Sequence, residues 1–278
     1  MLVPEGAAGD AASLRVASWN VESVRAHLDQ VTAWVDVHQP DVLCLQETKA
    51  GARKFPLAPF EDRAYSVIVH GGEGGRGGLA LASRHPVDDV VCGIPSAVAP
   101  LDEPRSISAL IGGLRVHTVY APNGRKVGTR PHEIKLAWFA LLGAWLELDR
   151  AEHPAQLLIG DLNIAPLDID VWDASRYRKR NLTSPPERRA FEALIGDGRL
   201  VDVLRESFGS EAVFTWWNRR ADFYETDRGW RLDNVLAAPG VAKGVRSIIV
   251  DRAERGRPGS TDHAPLLIDI DLPGSLGR

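Results

Sequence analysis

The sequence predicts an α/β protein in which two β-sheets pack against each other and helices cover their outer faces. Three observations carry this expectation. Short apolar or alternating runs of strand length recur in both halves of the chain. Segments with helical apolar spacing lie between those runs. No shift in composition marks a linker along the 278 residues, of which 44% are hydrophobic and 25% charged, an ordinary globular balance. The expected organisation is one domain over residues 14–278 behind a disordered tail over 1–13.

The elements follow in order. Leu14–Asn20 alternates and reads as a strand ending in a polar residue. Ala26–His38 carries Leu28, Val31 and Val35 at helical spacing, and Pro40 stops it. Asp41–Gln46 and Tyr65–Val69 read as strands. The glycine-rich stretch 71–78 precedes Leu79–Ser83, which is another strand. A dinucleotide fingerprint would need a helix there, so the stretch is expected to be a strand-to-strand loop. Val87–Gly93, Ser106–Ile111 and Leu114–Tyr120 continue the strands, the last two joined by the hairpin dipeptide Gly112-Gly113. Ala121–Pro131 is a loop, and His132–Arg150 is an amphipathic helix with Leu136, Phe139, Leu142 and Leu146 on one stripe. Gln156–Asp161 is a strand broken by Gly160, and Ile164–Pro185 a long polar loop with a basic middle. Ser184 caps a helix that runs to about Gly196 with prolines in its first turn. Strands are expected again at Ala212–Trp217, Trp230–Ala237, Val245–Val250 and Leu266–Ile270.

Composition removes several classes. The only cysteines are Cys44 and Cys92, so neither a disulfide framework nor a structural zinc site is indicated. No apolar run has the length of a membrane span. The N-terminal residues lack the basic and apolar regions of a secretory signal, which leads to the expectation of a cytoplasmic protein. The net charge of −4 counts mildly against a nucleic-acid binder. Basic residues are nonetheless concentrated at Arg125-Lys126, Arg176–Arg180, Arg188-Arg189 and Arg219-Arg220, so one face can be positive.

The informative pattern is repetition at strand ends. Asn20, Glu47 and Tyr120 close three strands, and Asp161 with Asn163 close a fourth. Asp233 lies inside the alternating run Trp230–Leu236, and Asp262-His263 precede the last strand. Any one of these is a turn residue or cap. Six in separate segments point to one assembled edge. Glu47 and Asp262, with Asp161, supply oxygen ligands suited to Mg²⁺ or Mn²⁺ and not to a soft metal. Asp233 and His263 can form a carboxylate–imidazole pair. Asn20, Asn163 and Tyr120 are neutral donors for a developing phosphorane charge or for orienting water. The set indicates metal-assisted hydrolysis of a phosphate ester. The HExxH of a metallopeptidase and the nucleophile elbow of a serine hydrolase are both absent.

Six segments then carry a resemblance: Ser18-Trp19-Asn20-Val21, Leu45-Gln46-Glu47-Thr48-Lys49, Tyr120-Ala121-Pro122-Asn123-Gly124, Gly160-Asp161-Leu162-Asn163-Ile164, Trp230-Arg231-Leu232-Asp233 and Thr261-Asp262-His263-Ala264-Pro265. In this order, and covering Leu14 to Ile270, they resemble the exonuclease III family of AP endonucleases within the DNase I-like endonuclease/exonuclease/phosphatase superfamily. The resemblance implies a four-layer α-β-β-α sandwich of two mixed sheets and Mg²⁺ dependence, with Mn²⁺ as a substitute. It also implies a monomer that cleaves duplex DNA 5′ to abasic sites and trims or dephosphorylates blocked 3′ ends. By the same resemblance Glu47 and Asp262 are metal ligands, with Asn20, Asp161, Asn163 and His263 around the ion. Tyr120, Asp161, Asn163, Asp233 and His263 are the catalytic set, and either Asp161 or His263 takes the proton of the attacking water. Trp216, Trp230 and Leu232 are implied walls of a slot for a flipped-out abasic sugar, while Trp217 is assigned to the core. Arg25, Asn123 and Arg125 are implied phosphate contacts, and the basic loop Arg176–Arg180 a backbone surface.

Three departures from the family pattern are visible: Glu22 in the first motif, where it would add a second metal site or repel DNA, Trp217-Asn218-Arg219-Arg220, which lacks a tyrosine frequent there, and Tyr120-Ala121 where Tyr-Val or Tyr-Phe is more usual. Two other readings stay open on the same fold. A nonspecific nuclease or a phosphatase would cut intact and abasic duplexes equally, and a catalytically silent DNA-binding protein would show no turnover.

Overall fold

The structure, a computed structural model, describes residues 13–71, 74–95, 104–219 and 222–272. The expected tail over 1–13 lies outside them except for Ser13, which begins the first strand. Gly72, Glu73 and Arg220 lie outside them as well.

The first half of the chain forms β1 (Ser13–Asn20), β2 (Val42–Gln46), β3 (Ser66–His70) and β4 (Leu79–Ser83). Next come β5 (Asp88–Cys92), β6 (Ser106–Ile111), β7 (Leu114–Tyr120) and β8 (Gln156–Asp161). The remainder contributes β9 (Val201–Asp202), β10 (Trp216–Trp217), β11 (Gly229–Trp230), β12 (Asp233–Ala237), β13 (Val245–Val250) and β14 (Leu266–Asp271). One six-stranded sheet has the order β13-β14-β1-β2-β4-β3, the other β5-β6-β7-β8-β12-β9, and β10 pairs with β11 alone. Each large sheet holds one parallel pair, β1 with β2 and β7 with β8, and antiparallel neighbours otherwise.

Strand periodicity explains the layers. In β1, Leu14 and Val16 face the other sheet, where they join Ile107, Ile111, Val116, Leu157, Ile159 and Val235 in the central core. Ala17 and Trp19 face the opposite way and pack with Val31, Trp34 and Val35 of the helix Leu28–His38. On the second sheet, Val119, Leu158 and Leu236 pack beneath Trp138, Phe139, Leu142 and Phe191 of the helices Arg130–Arg150 and Pro185–Ile195. This is the four-layer sandwich, helix–sheet–sheet–helix. Among the described residues, no helix is long and apolar enough to cross a membrane.

Several expectations need correction. Gly160 does not break its strand: it pairs with Val119 and Asn234 inside β8. At φ +142° a Cβ there would meet the Val119 carbonyl oxygen at 2.1 Å, so the glycine permits close approach of β7. The run Trp230–Ala237 is two strands, and Asp233 opens the second one. Its backbone leaves the ladder because the Leu232 and Asp233 N–H groups both donate to Thr215 Oγ1, at 3.0 Å each. The expected strand Ala212–Trp217 is reduced to Trp216–Trp217. The long loop Ile164–Pro185 contains helical turns at Asp168–Asp170 and Ala174–Tyr177. Pro131, expected to end a loop, sits in the first turn of the helix that starts at Arg130. Leu28, not Ala26, starts the first helix, and the short helix Val203–Phe208 carried no signal we could read.

One buried charge cluster braces the helix layer on the second sheet. Arg115 on β7 donates to both oxygens of Asp149 at 2.8–3.1 Å, and both side chains are buried. His117 Nε2 lies 3.3 Å from the same carboxylate. Burial pushes the Asp149 carboxyl up, but the His117 and Arg115 partners outweigh it and hold its pKa below the ordinary 3.8. A depressed folded-state pKa means that the contribution is present above pH 4 and is lost as pH falls below the unfolded value. Asp149→Asn is therefore expected to cost about 3 kcal/mol at pH 7, because it strips a buried guanidinium of its main partner. Urea unfolding as a function of pH checks this: the gap between variant and parent should close below pH 4.

Candidate active site

Topology gathers the polar strand ends. Parallel neighbours finish at the same edge, so Asn20 sits beside Gln46 and Tyr120 beside Asp161. β12 runs antiparallel to β8, so its first residue, Asp233, faces Asp161. β14 runs antiparallel to β1, with Leu266 opposite Ser18, so Asp262 and His263 arrive at that edge from the other direction. The result is a cavity of about 270 Å³ lined by Glu22, Glu47, Lys49, Tyr120, Asn123, Asp161, Asn163, Leu182, Trp216, Leu232, Asp262 and His263.

The centre of the site is a buried chain of acid–base groups. Asp233 Oδ2 binds His263 Nδ1 at 2.7 Å, which leaves Nε2 to face the cavity. Nε2 lies 3.8 Å from Asp161 Oδ2 and 3.9 Å from Asp262 Oδ1. Burial works against the imidazolium, but the charge and hydrogen bond of Asp233, with Asp161 and Asp262 beyond, override it and raise the His263 pKa. Burial raises the pKa of Asp161 in turn; the His263 charge opposes this and the Asp233 charge adds to it. Asp161 is held from both sides, because the Asn163 N–H donates to Oδ1 at 2.8 Å and Asn20 Nδ2 donates to Oδ2 at 2.9 Å.

The second group is built on Glu47, whose backbone has φ +50°. Its Oε1 accepts from the Tyr120 hydroxyl at 2.8 Å and from Asn20 Nδ2 at 3.3 Å. Lys49 Nζ is 3.3 Å from Oε2. Burial, with the Glu47 and Asp161 charges, keeps the Tyr120 phenol protonated. Four carboxylates, Glu22, Glu47, Asp161 and Asp262, thus share a small cavity with one lysine and one imidazole. That excess of hard oxygen donors fits a divalent cation. Asp161, Asp233 and His263 also bring ligand atoms within 4.8 Å of one another, but Asp233 is already committed to His263 Nδ1. Glu47, Asp262 and Asp161 line the cavity and are the carboxylates that could offer oxygens to an ion there.

Two of the residues expected around the ion are engaged in hydrogen bonds. Asn20 Oδ1 accepts the Glu22 N–H at 3.0 Å, and its Nδ2 donates to the Glu47 and Asp161 carboxylates. Asn163 is likewise occupied: Oδ1 accepts from Asn123 Nδ2 at 3.2 Å, and Nδ2 donates to the Ala121 carbonyl at 3.0 Å. Glu22 is hydrogen-bonded to Arg219, so two of the departures seen in the sequence are partners and offset each other's charge.

The substrate-binding expectations separate into two further cavities. Trp216 and Leu232 line the catalytic cavity itself. Trp230 is behind them, in a neighbouring cavity that also holds Arg125, Lys126, Arg176, Tyr177, Lys179 and Arg180 and shares Trp216 and Leu182 with the first. Arg25 lies on the other side, in a basic groove with Lys49, Arg53 and Lys54. Trp217 is fully buried, as expected of core. Sequence reasoning passed over Lys49, although it stands in a quoted motif. It also passed over Leu182, Thr215 and Lys135, which carry no pattern along the chain.

Comparisons with known proteins agree with this fold. Residues 17–263 match the model of the Endonuclease/Exonuclease/phosphatase family. The chain is 29% identical to exodeoxyribonuclease III of Haemophilus influenzae over 266 residues, which are 91% of this chain and 98% of that one. It superimposes on an AP endonuclease from Archaeoglobus fulgidus with a TM-score of 0.88 and 34% identity, covering 93% of this chain and all of that one (100%). It matches the 3′ phosphatase NExo from Neisseria, bound to a product DNA hairpin, with a TM-score of 0.89 and 31% identity, covering 93% and 99%.

Proposed function

The chain belongs to the endonuclease/exonuclease/phosphatase family and is a DNA phosphodiester hydrolase, and we propose that it acts on duplex DNA at abasic sites and blocked 3′ ends, using Mg²⁺. The observation that carries this reading is the wall shared between the catalytic cavity and its neighbour. Trp216 and Leu232 present an apolar face within reach of Asp161 and His263, and basic residues follow immediately beyond Trp216. A small apolar slot beside the reacting groups suits a deoxyribose without a base, and the cations beyond it suit the flanking phosphates. The related AP endonuclease and 3′ phosphatase support the same substrate class.

The roles follow from the hydrogen bonds. Glu47 and Asp262, with Asp161 adjacent, would hold the ion. When bound, Mg²⁺ neutralises charge on the scissile phosphate and acidifies a water. Asp161 takes the proton of the attacking water. Among the described residues it has no ion pair with Lys or Arg, and its two amide donors fix the direction of its lone pairs. His263, fixed through Nδ1 by Asp233, turns a protonated Nε2 toward a phosphate oxygen and stabilises the charge that develops there. Tyr120 holds Glu47 in place and keeps its hydroxyl proton. Arg25, Lys49 and Arg53 on one side, with Arg125, Lys126 and Arg180 on the other, line the path of the strand backbone.

The test is substrate discrimination. A duplex carrying one tetrahydrofuran abasic analogue should be cut at least about 100-fold faster than the same duplex with an intact base, the scale on which a shaped pocket discriminates. Equal cutting of the two would instead favour a nonspecific nuclease.

A further inference from the structure

The helix Arg130–Arg150 buries a lysine that the proposed chemistry does not use. Lys135 is fully buried, and its three N–H groups are all taken. Nζ donates to Glu187 Oε1 at 2.5 Å, to the Asn163 carbonyl at 2.6 Å and to the Asn123 carbonyl at 3.3 Å. Glu187, also fully buried, is equally saturated. Its Oε1 accepts the Leu182 N–H at 3.0 Å, and its Oε2 accepts the Ser184 N–H and hydroxyl at 3.0 and 2.6 Å. Taking two full charges out of water is costly and often adds nothing to stability over an apolar pair. A completely satisfied network of this kind instead fixes one arrangement of what surrounds it.

What surrounds it is one wall of the catalytic cavity. Asn123, Asn163 and Leu182 all line that cavity, and each has a backbone group bonded directly to this pair. Two of the three need holding, because Asn163 has φ +51° and Leu182 φ +75°, both in the left-handed region that disfavours side chains. Asn123 and Asn163 are joined to each other at 3.2 Å, and Asn163 donates its N–H to Asp161. Gly124 completes the contact, since a Cβ there would meet Lys135 Cδ at 2.9 Å. The chain of bonds runs Glu187–Lys135–Asn163–Asp161, from the outer helices to the proposed base.

We propose that the Lys135–Glu187 pair is a positioning device for hydrolysis: from behind the cavity it sets Asn123, Asn163 and Leu182, and through Asn163 the direction of the Asp161 carboxylate. The kinetic part rests on the functional reading above. Lys135→Met alone strands the Glu187 carboxylate, so the informative protein is the double variant Lys135→Met/Glu187→Gln, which keeps the volume and removes both charges. Its kcat on the abasic duplex should fall about 30- to 100-fold, the scale of a misplaced reacting group, with KM within about threefold. Introduced into an Asp161→Asn background, the same double change should cost no more than about a further threefold, because the effect passes through the direction of the Asp161 carboxylate, which the backbone N–H of Asn163 sets. Amide exchange supplies a readout that needs no substrate. Exchange at Leu182 and Asn163 should quicken at least about tenfold in the double variant while Ile159 in β8 is unchanged. A parent without turnover of abasic DNA would refute the functional reading and leave the exchange result to decide the pair. Unaltered exchange at Leu182 and Asn163 overturns the proposal, as does a double variant with kcat within threefold of an active parent or an equal loss in the Asp161→Asn background.

Discussion

Asp161→Asn lowers kcat for DNA hydrolysis by about 10⁴-fold, the upper end of what a positioned base contributes, while the protein stays folded. The side chain is the same size, and the Asn163 N–H and Asn20 amide that hold it keep an acceptor on one of its two atoms. What disappears is the capacity to take a proton. Stability should move the other way. Burial first, with the Asp233 charge added, raises the Asp161 pKa in the folded protein. A raised carboxyl pKa contributes stability that is present at pH below the unfolded value and lost as pH rises through the folded one. At neutral pH the ionised side chain is therefore a liability, and in EDTA the variant should unfold at a temperature equal to or above that of the parent. Single-turnover kinetics with thermal unfolding on one preparation reads both. A variant that retains a tenth of the parent rate would remove Asp161 from the role of base.

His263→Ala comes next, with an expected loss of about 10³-fold in kcat, and Asp233→Asn with about 10²-fold. The two act as a unit. Asp233 bonds His263 Nδ1 at 2.7 Å and fixes the direction of Nε2, so an amide at 233 leaves the ring free to turn and removes the charge that sustains its proton. The double variant should be no slower than His263→Ala alone, since the side-chain hydrogen bond of the carboxylate goes to His263 and its charge only raises the Asp161 pKa. Losses that multiply in the double variant would show that Asp233 acts separately. These ratios also separate the two candidates for the base, because a histidine that donates a proton and a carboxylate that accepts one fail differently. Asp161→Asn should flatten the alkaline rise in rate, whereas Asp233→Asn should move the alkaline fall to lower pH.

Much of this site was legible in the sequence, for a topological reason. In a sheet with one parallel pair, the carboxyl ends of those strands lie together, and antiparallel neighbours bring their amino ends to the same edge. Polar residues at the ends of several strands therefore had to converge, and Asn20, Glu47, Tyr120, Asp161, Asp233, Asp262 and His263 do. The central strands were equally plain, since their apolar alternation is dictated by facing cores.

The rest was hidden because it depends on partners far along the chain. Gly160 reads locally as a strand breaker, and only the Val119 carbonyl against it reveals a strand that needs no side chain there. Trp230–Ala237 alternates like one strand, and only Thr215, competing for its N–H groups, divides it. Asn20 reads as a polar strand end, and only the fold shows its amide bridging Glu47 and Asp161. Glu22 reads as a charge opposed to DNA until Arg219, 197 residues away, is found against it. Lys135 reads as one polar residue on an amphipathic helix, and nothing local says that it is fully buried among carbonyls.

The most direct test is a 5′-labelled duplex with a single abasic analogue, incubated with the parent protein in Mg²⁺ and in EDTA, with the product sized at single-nucleotide resolution. The account predicts one product ending immediately 5′ to the abasic position with a free 3′ hydroxyl, formed in Mg²⁺ and absent in EDTA. A product of the same amount in EDTA, or cuts distributed equally over undamaged positions, would contradict it.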